Sequence, residues 1–179
     1  KIIIRNKPNM SWNIIFVLIS LATMVVAQTP SPIPVKPFNL EKMAGVWYVG
    51  LLNDPKLTNE NFAITCFSVD YTFDGSWVKY KTTMTVFGKS VTTDMKARLV
   101  NEEGNIWENE DKSNWAWIAV DSLHYRWALL ADINNQGLIF FSREQQLNQA
   151  FIDYALQIAQ TQGYEISGSG IRKIHNECK

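Results

Sequence analysis

Of the side chains that ligate transition metals most readily, 179 residues supply only two cysteines and two histidines. A four-ligand zinc site would need all of them together, and a disulfide-dense miniprotein needs more than one bridge. Neither sign of charge is in excess: 17 Lys and Arg balance 17 Asp and Glu, so no basic footprint for nucleic acid exists. Internal repeats and low-complexity tracts are missing, as are Gly-x-Ser-x-Gly, phosphate-loop and His-Glu-x-x-His motifs. Those absences remove the commonest hydrolase, nucleotide-binding and zinc-protease readings. Nor is the chain polar enough for disorder. It is 46% hydrophobic and 12% aromatic, with seven Trp and nine Phe, a load that one folded domain must bury.

The longest apolar run, Ile14 to Val26, is shorter than the about 20 residues a bilayer span needs and suits the core of a secretory signal. Lys1, Arg5 and Lys7 precede it, and Val25 and Ala27 are small residues where a signal peptidase reads, placing cleavage before Gln28. Met10 is the first methionine, which leaves residues 1–9 open to lie upstream of the true start. The expected organisation is a signal peptide over residues 1–27 and one secreted domain over residues 28–179, with no stable membrane span. Losing Lys1, Arg5 and Lys7 leaves 14 basic against 17 acidic groups, a formal charge of −3. In an oxidising compartment Cys66 and Cys178 are expected to pair and fasten the C-terminal tail to the body. A reactive thiol would need a partner base or a depressed pKa, and the sequence offers neither.

After the proline-rich stretch Gln28 to Pro37, Asn39 is placed to cap a short helical turn over Leu40 to Ala44, stopped by Gly45. Period-two alternation then dominates. Phe67, Val69, Tyr71 and Phe73 alternate with polar residues, as do Val78, Tyr80, Met84 and Val86, and Val91, Met95, Ala97 and Leu99. Turn chemistry falls between the runs at Asp74-Gly75, Gly88-Lys89, Glu103-Gly104 and Asn134 to Gly137. Eight strands are expected, over 46–52, 62–73, 77–87, 90–100, 105–109, 114–121, 125–131 and 137–143. One helix follows, Asn148 to Gln162, with Leu147, Phe151, Tyr154 and Ile158 as its apolar stripe and Gly163 as its stop. The fold class is therefore all-β: an eight-stranded up-and-down antiparallel barrel with one C-terminal α-helix packed outside. Such a barrel is either filled by side chains or holds one small ligand.

The chain resembles the lipocalins on three motifs in the right order. Gly45-Val46-Trp47-Tyr48 looks like the family's first motif, a Gly-x-Trp at the start of strand one. Val120-Asp121-Ser122 with Tyr125 resembles the second, Thr-Asp-Tyr followed by Tyr, although Val120 and Ser122 depart from it. Phe141-Ser142-Arg143 resembles the third, whose Arg packs over the first motif's Trp. Within the family the likeness is to the apolipoprotein D, retinol-binding and bilin-binding group, where a second-strand Cys also bridges to the tail. The resemblance implies structural roles for Gly45, Trp47, Asp121, Tyr125 and Arg143, with Arg143 over the Trp47 indole at the barrel's narrow end. It also implies a secreted carrier of a small hydrophobic ligand (a retinoid, bilin, sterol or fatty-acid-like molecule), with no cofactor and no metal.

Alternation assigns the inward set and the resemblance fixes its phase: with Cys66 facing outward to meet the tail, the lumen is Val49, Leu51, Phe67, Val69, Tyr71, Phe73, Val78, Tyr80, Met84, Met95, Leu99, Trp115, Trp117, Ile139 and Phe141. The phases of 105–109 and 125–131 stay open, with Arg126 a candidate to point inward at the base. The mouth is assigned to loops 53–61, 88–90, 109–113 and 131–137, the first being either a lid or a solvated connector. Glu108, Glu110 and Asp111 lie near that rim and read as a solvated face sooner than as a cation or amine site. His124 falls in a closed-end turn and His175 in the tail, poor positions for an axial haem ligand. With both thiols claimed by the bridge no nucleophile is left, so an enzyme is not expected. The alternative to a carrier is a secreted interaction protein whose mouth loops bind a partner such as a cell-surface receptor.

Overall fold

The computed structural model describes residues 32–53, 63–134, 137–166 and 170–178. The expected signal peptide, and nearly all of the loop read as a lid, lie outside them. After a single 3-10 turn at Glu41–Met43 come β1 (Gly45–Asn53), β2 (Ile64–Asp74), β3 (Trp77–Val86), β4 (Lys89–Leu99), β5 (Ile106–Asn109), β6 (Asn114–Val120), β7 (Trp127–Asp132) and β8 (Leu138–Ser142). The helix α1 (Gln149–Thr161) and a two-residue strand β9 (Arg172–Lys173) complete the order. Every neighbour pairing is antiparallel, and β1 pairs with both β8 and β2, so the sheet closes into the expected barrel with the helix outside.

Local sequence explains the boundaries. Asn39 Oδ1 accepts from the Lys42 amide at 3.0 Å and holds the 3-10 turn, and Gly45 starts β1 at φ +85°, a left-handed conformation that suits glycine. Asn148 caps α1 by accepting from the Ala150 amide at 3.0 Å, and Gly163 ends it at φ +88°.

Two apolar clusters result. The inner one fills the lower barrel from Trp47, Val69, Tyr71, Val78, Trp107, Trp117 and Phe141. The outer one joins Ala116, Ile118, Leu129, Ala131 and Phe140 to the helix. The helix buries Ile152, Ala155 and Ala159, while Tyr154 is 57% exposed. This corrects the stripe drawn through Leu147, Phe151, Tyr154 and Ile158. Small residues at 155 and 159 let the helix approach a sheet face that is itself rich in alanine, and the bulky residues flank that contact.

At the closed end the three motifs interlock. The Arg143 guanidinium lies 3.8 Å over the Trp47 ring and donates to the carbonyls of Lys42, Ala44 and Val46 at 2.7–2.8 Å. Trp47 Nε1 donates to the Met43 carbonyl at 2.8 Å. The buried Tyr125, at φ +53°, accepts at its hydroxyl from the Asn39 amide at 2.7 Å. Asp121 takes Arg126 Nε at 2.7 Å and is a turn residue; burial raises its pKa, but these hydrogen bonds outweigh that and leave it lowered. Arg126 does not point inward: it is exposed and its guanidinium lies 4.8 Å from the Phe151 ring centroid on the outer face.

The tail does more than carry a bridge. β1 and β2 pair only from Gly45↔Tyr71 to Tyr48↔Ser68. Beyond that point β9 pairs with Leu51 and Leu52, and the buried Asn176 spans the gap. Its Oδ1 accepts from the Phe67 amide at 2.8 Å and its Nδ2 donates to the Val49 carbonyl at 2.9 Å. The Cys66–Cys178 disulfide, 112 residues apart in sequence, fastens the end of this strap. Alternation could not show β9, because two residues set no period.

Candidate functional site

The lower barrel is plugged by rings. Tyr71 and Trp107 meet edge-on at 5.3 Å between centroids, Trp107 and Trp117 at 5.1 Å, and Trp117 and Phe141 tilt together at 5.4 Å. Each such pair contributes about 0.5–1.5 kcal/mol beyond area burial. Trp117 Nε1 is buried without a hydrogen-bond partner among the described residues. Above the plug the barrel is hollow, with a cavity of about 550 Å³. That lies within the 300–1,000 Å³ typical of small-molecule sites.

Ten of the fifteen residues assigned to the lumen line this cavity: Val49, Phe67, Val69, Tyr71, Tyr80, Met84, Met95, Trp115, Ile139 and Phe141. Phe73, Val78, Leu99 and Trp117 belong to or pack against the inner cluster but sit in or beside the plug rather than on the cavity wall. Leu51 is a correction. A register shift between Val49 and Leu51 turns it onto the outer cluster, and Leu52, fully buried, takes the inward place. Gly50 inside a strand pattern is the signal that could have shown this bulge.

The cavity wall also holds residues that alternation missed: Thr82, Thr93, Trp107, Asn109, Asp111, Ser113, Leu130, Asp132 and Gly137. Most come from short β5, its turn into β6, and β7, where too few residues fix the phase. The polar ones form a chain. Tyr80 Oη donates to Asn109 Oδ1 at 3.2 Å, and Asn109 Nδ2 donates to Ser113 Oγ at 3.1 Å. Ser113 Oγ in turn donates to Asp111 Oδ1 at 2.6 Å, and Trp115 Nε1 also donates to Ser113 Oγ, at 3.1 Å. Burial, reinforced by the charges of Asp111 and Glu110, pushes the Tyr80 phenol up to about 12. Burial, with Tyr80 beside it, raises Tyr71 well above the ordinary phenol value. Both phenols are neutral at physiological pH.

The rim acids divide. Glu108 pairs with Arg98 at 3.2 Å and Lys112 at 2.9 Å, and Glu110 with Lys96 at 3.4 Å, while Asp111 lines the cavity. A second concavity, of about 560 Å³, runs over the outer faces of β2 to β4 among Asp70, Lys79, Lys81, Asp94 and Lys96. Its charged walls do not suit an apolar molecule. Among the described residues no group of His, Cys, Asp and Glu could hold a metal, and no helix is long and apolar enough to cross a membrane.

No protein-family model and no curated protein sequence matches the chain. Solved structures do match. A siderocalin, Ex-FABP, described as functioning through dual ligand specificities, aligns with a TM-score of 0.63 at 11% identity, covering 76% of this chain and 96% of its own. Lobster apocrustacyanin A1 aligns at 0.60 and 17% identity, over 87% and 94% of the two chains. The cockroach allergen Per a 4 aligns at 0.61 and 13% identity, over 84% and 95%. At these identities the likeness establishes the fold.

Proposed function

From the lipocalin fold that this chain carries, we propose that it is a secreted carrier whose barrel sequesters a small hydrophobic molecule. One observation carries the reading: the barrel is hollow above its aromatic plug, and the hollow is walled chiefly by Val, Phe, Met, Trp and Tyr. A ligand burying about 400 Å² of apolar surface gains on the order of 10 kcal/mol gross. After association losses this corresponds to affinities in the micromolar-to-nanomolar range, what sequestration needs without any chemical step. The apolar run at Ile14 to Val26 and the disulfide support secretion. Both thiols lie in the bridge and both lumen phenols are neutral, which supports binding over catalysis.

Titrating the purified protein with retinol, a fatty acid and biliverdin tests this, since Trp107 and Trp115 on the cavity wall report occupancy by fluorescence. Saturable quenching by at least one apolar ligand is the expected result. A flat signal with every apolar ligand tried would contradict it.

The second reading, an interaction protein working through its mouth, has its own observation. Phe87, 67% exposed, stands at the tip of the β3–β4 hairpin. Recovery of a receptor by the ligand-stripped barrel, lost in Phe87→Ser, would favour it.

A further inference from the structure

The tip of the β3–β4 hairpin carries a residue that its turn does not ask for. Val86 pairs with Lys89, so the turn consists of Phe87 and Gly88, at φ +49° and +73°. Two successive left-handed residues favour Asn-Gly, and a bulky aromatic in the first place is strained. No folded contact offsets that strain: Phe87 is 67% exposed and makes no ring contact among the described residues. Strain held without local packing points to a contact outside the chain.

The apolar surface at the tip is continuous with the lumen. Met84 and Met95 line the cavity, and Met84 is the register partner of Val91, itself 49% exposed. Val86 and Val91 thus carry the inward face of the hairpin past the cavity and up to Phe87. Beside the tip, Lys89 is exposed and has no ion pair among the described residues, whereas Lys81 and Lys96 are tied to Asp94 and Glu110.

These features narrow the partner. A protein interface takes about 800 Å² from each side, more than Phe87, Val91 and Lys89 offer by themselves at a convex tip. A phospholipid surface asks for no shape match. It accepts an aromatic and an aliphatic side chain at headgroup depth, and its phosphates suit an unpaired lysine. The backbone sets the depth. β5 pairs with β4 only from Ala97 to Leu99, so among the described residues no strand covers the far edge from Lys89 to Lys96. Those open peptide groups need water, and only the tip enters the lipid.

We propose that the β3–β4 hairpin docks the barrel's mouth on a phospholipid surface, with Phe87 and Val91 at the boundary of headgroups and acyl chains and Lys89 on the phosphates. The docking goes beyond the carrier reading. Under that reading it gives an apolar guest a path between lipid and lumen along the hairpin's inner face.

Flotation of the ligand-free protein with vesicles of phosphatidylcholine, alone or mixed with phosphatidylglycerol, tests the proposal. Binding to both is expected, about fivefold tighter to the anionic vesicles. Phe87→Asn, which suits the turn's backbone, should weaken binding to both by at least about tenfold, and Lys89→Gln should remove only the anionic preference. Neither residue lines the cavity, and a urea midpoint no lower than the parent's shows that each variant is folded. A parent protein that floats with neither vesicle overturns the proposal and leaves the carrier reading standing. Flotation unchanged in Phe87→Asn, or an anionic preference that survives Lys89→Gln, also overturns it. Flotation as expected from a barrel that quenches with no apolar ligand supports the docking while ending the carrier reading.

Discussion

Replacing Asn176 with Ala removes the side chain that joins β1 to β2 where those strands no longer pair directly. The change leaves the Phe67 N–H and the Val49 carbonyl without the partners they now hold at 2.8 and 2.9 Å. Asn176 itself is only 9% exposed, so water replaces those bonds incompletely. Each orphaned backbone group costs about 1–3 kcal/mol, and some water entry at the seam reduces the total, so a loss of about 2–4 kcal/mol is expected. Equilibrium urea unfolding of parent and variant measures it. Asn176→Asp should lose at least as much, because its carboxylate keeps the Phe67 bond but buries a charge against the Val49 carbonyl oxygen, to which it cannot donate. The disulfide sharpens the test. By closing a loop between residues 112 apart it contributes about 4–5 kcal/mol through the unfolded state. With both cysteines changed to Ser the end of the tail is held only by hydrogen bonds, chiefly from the Glu177 amide to Thr65 and between Cys178 and Gln145, so Asn176→Ala should then cost less than half as much. A variant within about 0.5 kcal/mol of the parent, or fully additive losses, would refute the view of the tail as a strap across the seam.

At the closed end, Trp47→Ala should lower stability by about 3–5 kcal/mol in the same assay, while Arg143→Lys, losing the planar stack and the three-carbonyl fork, should lower it less. Equal melting of parent and Trp47→Ala would contradict the closure described here. Phe87 occupies φ +49° before Gly88 at φ +73°, so Phe87→Asn should raise stability by about 1 kcal/mol by relieving a left-handed aromatic residue, read as a higher urea midpoint; a fall would contradict it. Alkaline stability follows from the phenols. The folded state holds the Tyr80 proton to about 12 against an ordinary 10.0, so the unfolded chain releases its proton first. Stability should be flat below pH 10 and fall as pH rises toward 12, with a shallower fall in Tyr80→Phe; a midpoint constant to pH 12 would mean that this phenol is not buried.

Alternation made most of the barrel legible, because β2, β3 and β4 are long enough for period two to fix both extent and face. Asn148 and Gly163 gave the helix ends for the same kind of reason, a side chain or backbone conformation with a local job. Legibility stopped where one residue changes the count. The bulge at Gly50 turned Leu51 outward, and the shift between Trp117 and Ala119 put both Ile118 and Ala119 on the outer face. It also stopped where bulk was taken for burial, since the helix buries Ala155 and Ala159 and exposes Tyr154. In the cavity the apolar wall was readable but the polar wall was not. Asn109 and Asp132 sit at the ends of short strands and Asp111 and Ser113 in the turn between β5 and β6, and an acidic run reads as solvated until the structure shows which carboxylate lines the cavity.

Native mass spectrometry of the protein recovered from the medium of expressing cells, followed by organic extraction, tests the hollow barrel most directly. The account predicts a chain beginning at Gln28, two hydrogens lighter for its one disulfide, carrying a single small molecule that extraction releases and that an apolar competitor displaces. A chain that keeps its bare mass as recovered and after loading with apolar alcohols, acids and retinoids would contradict it.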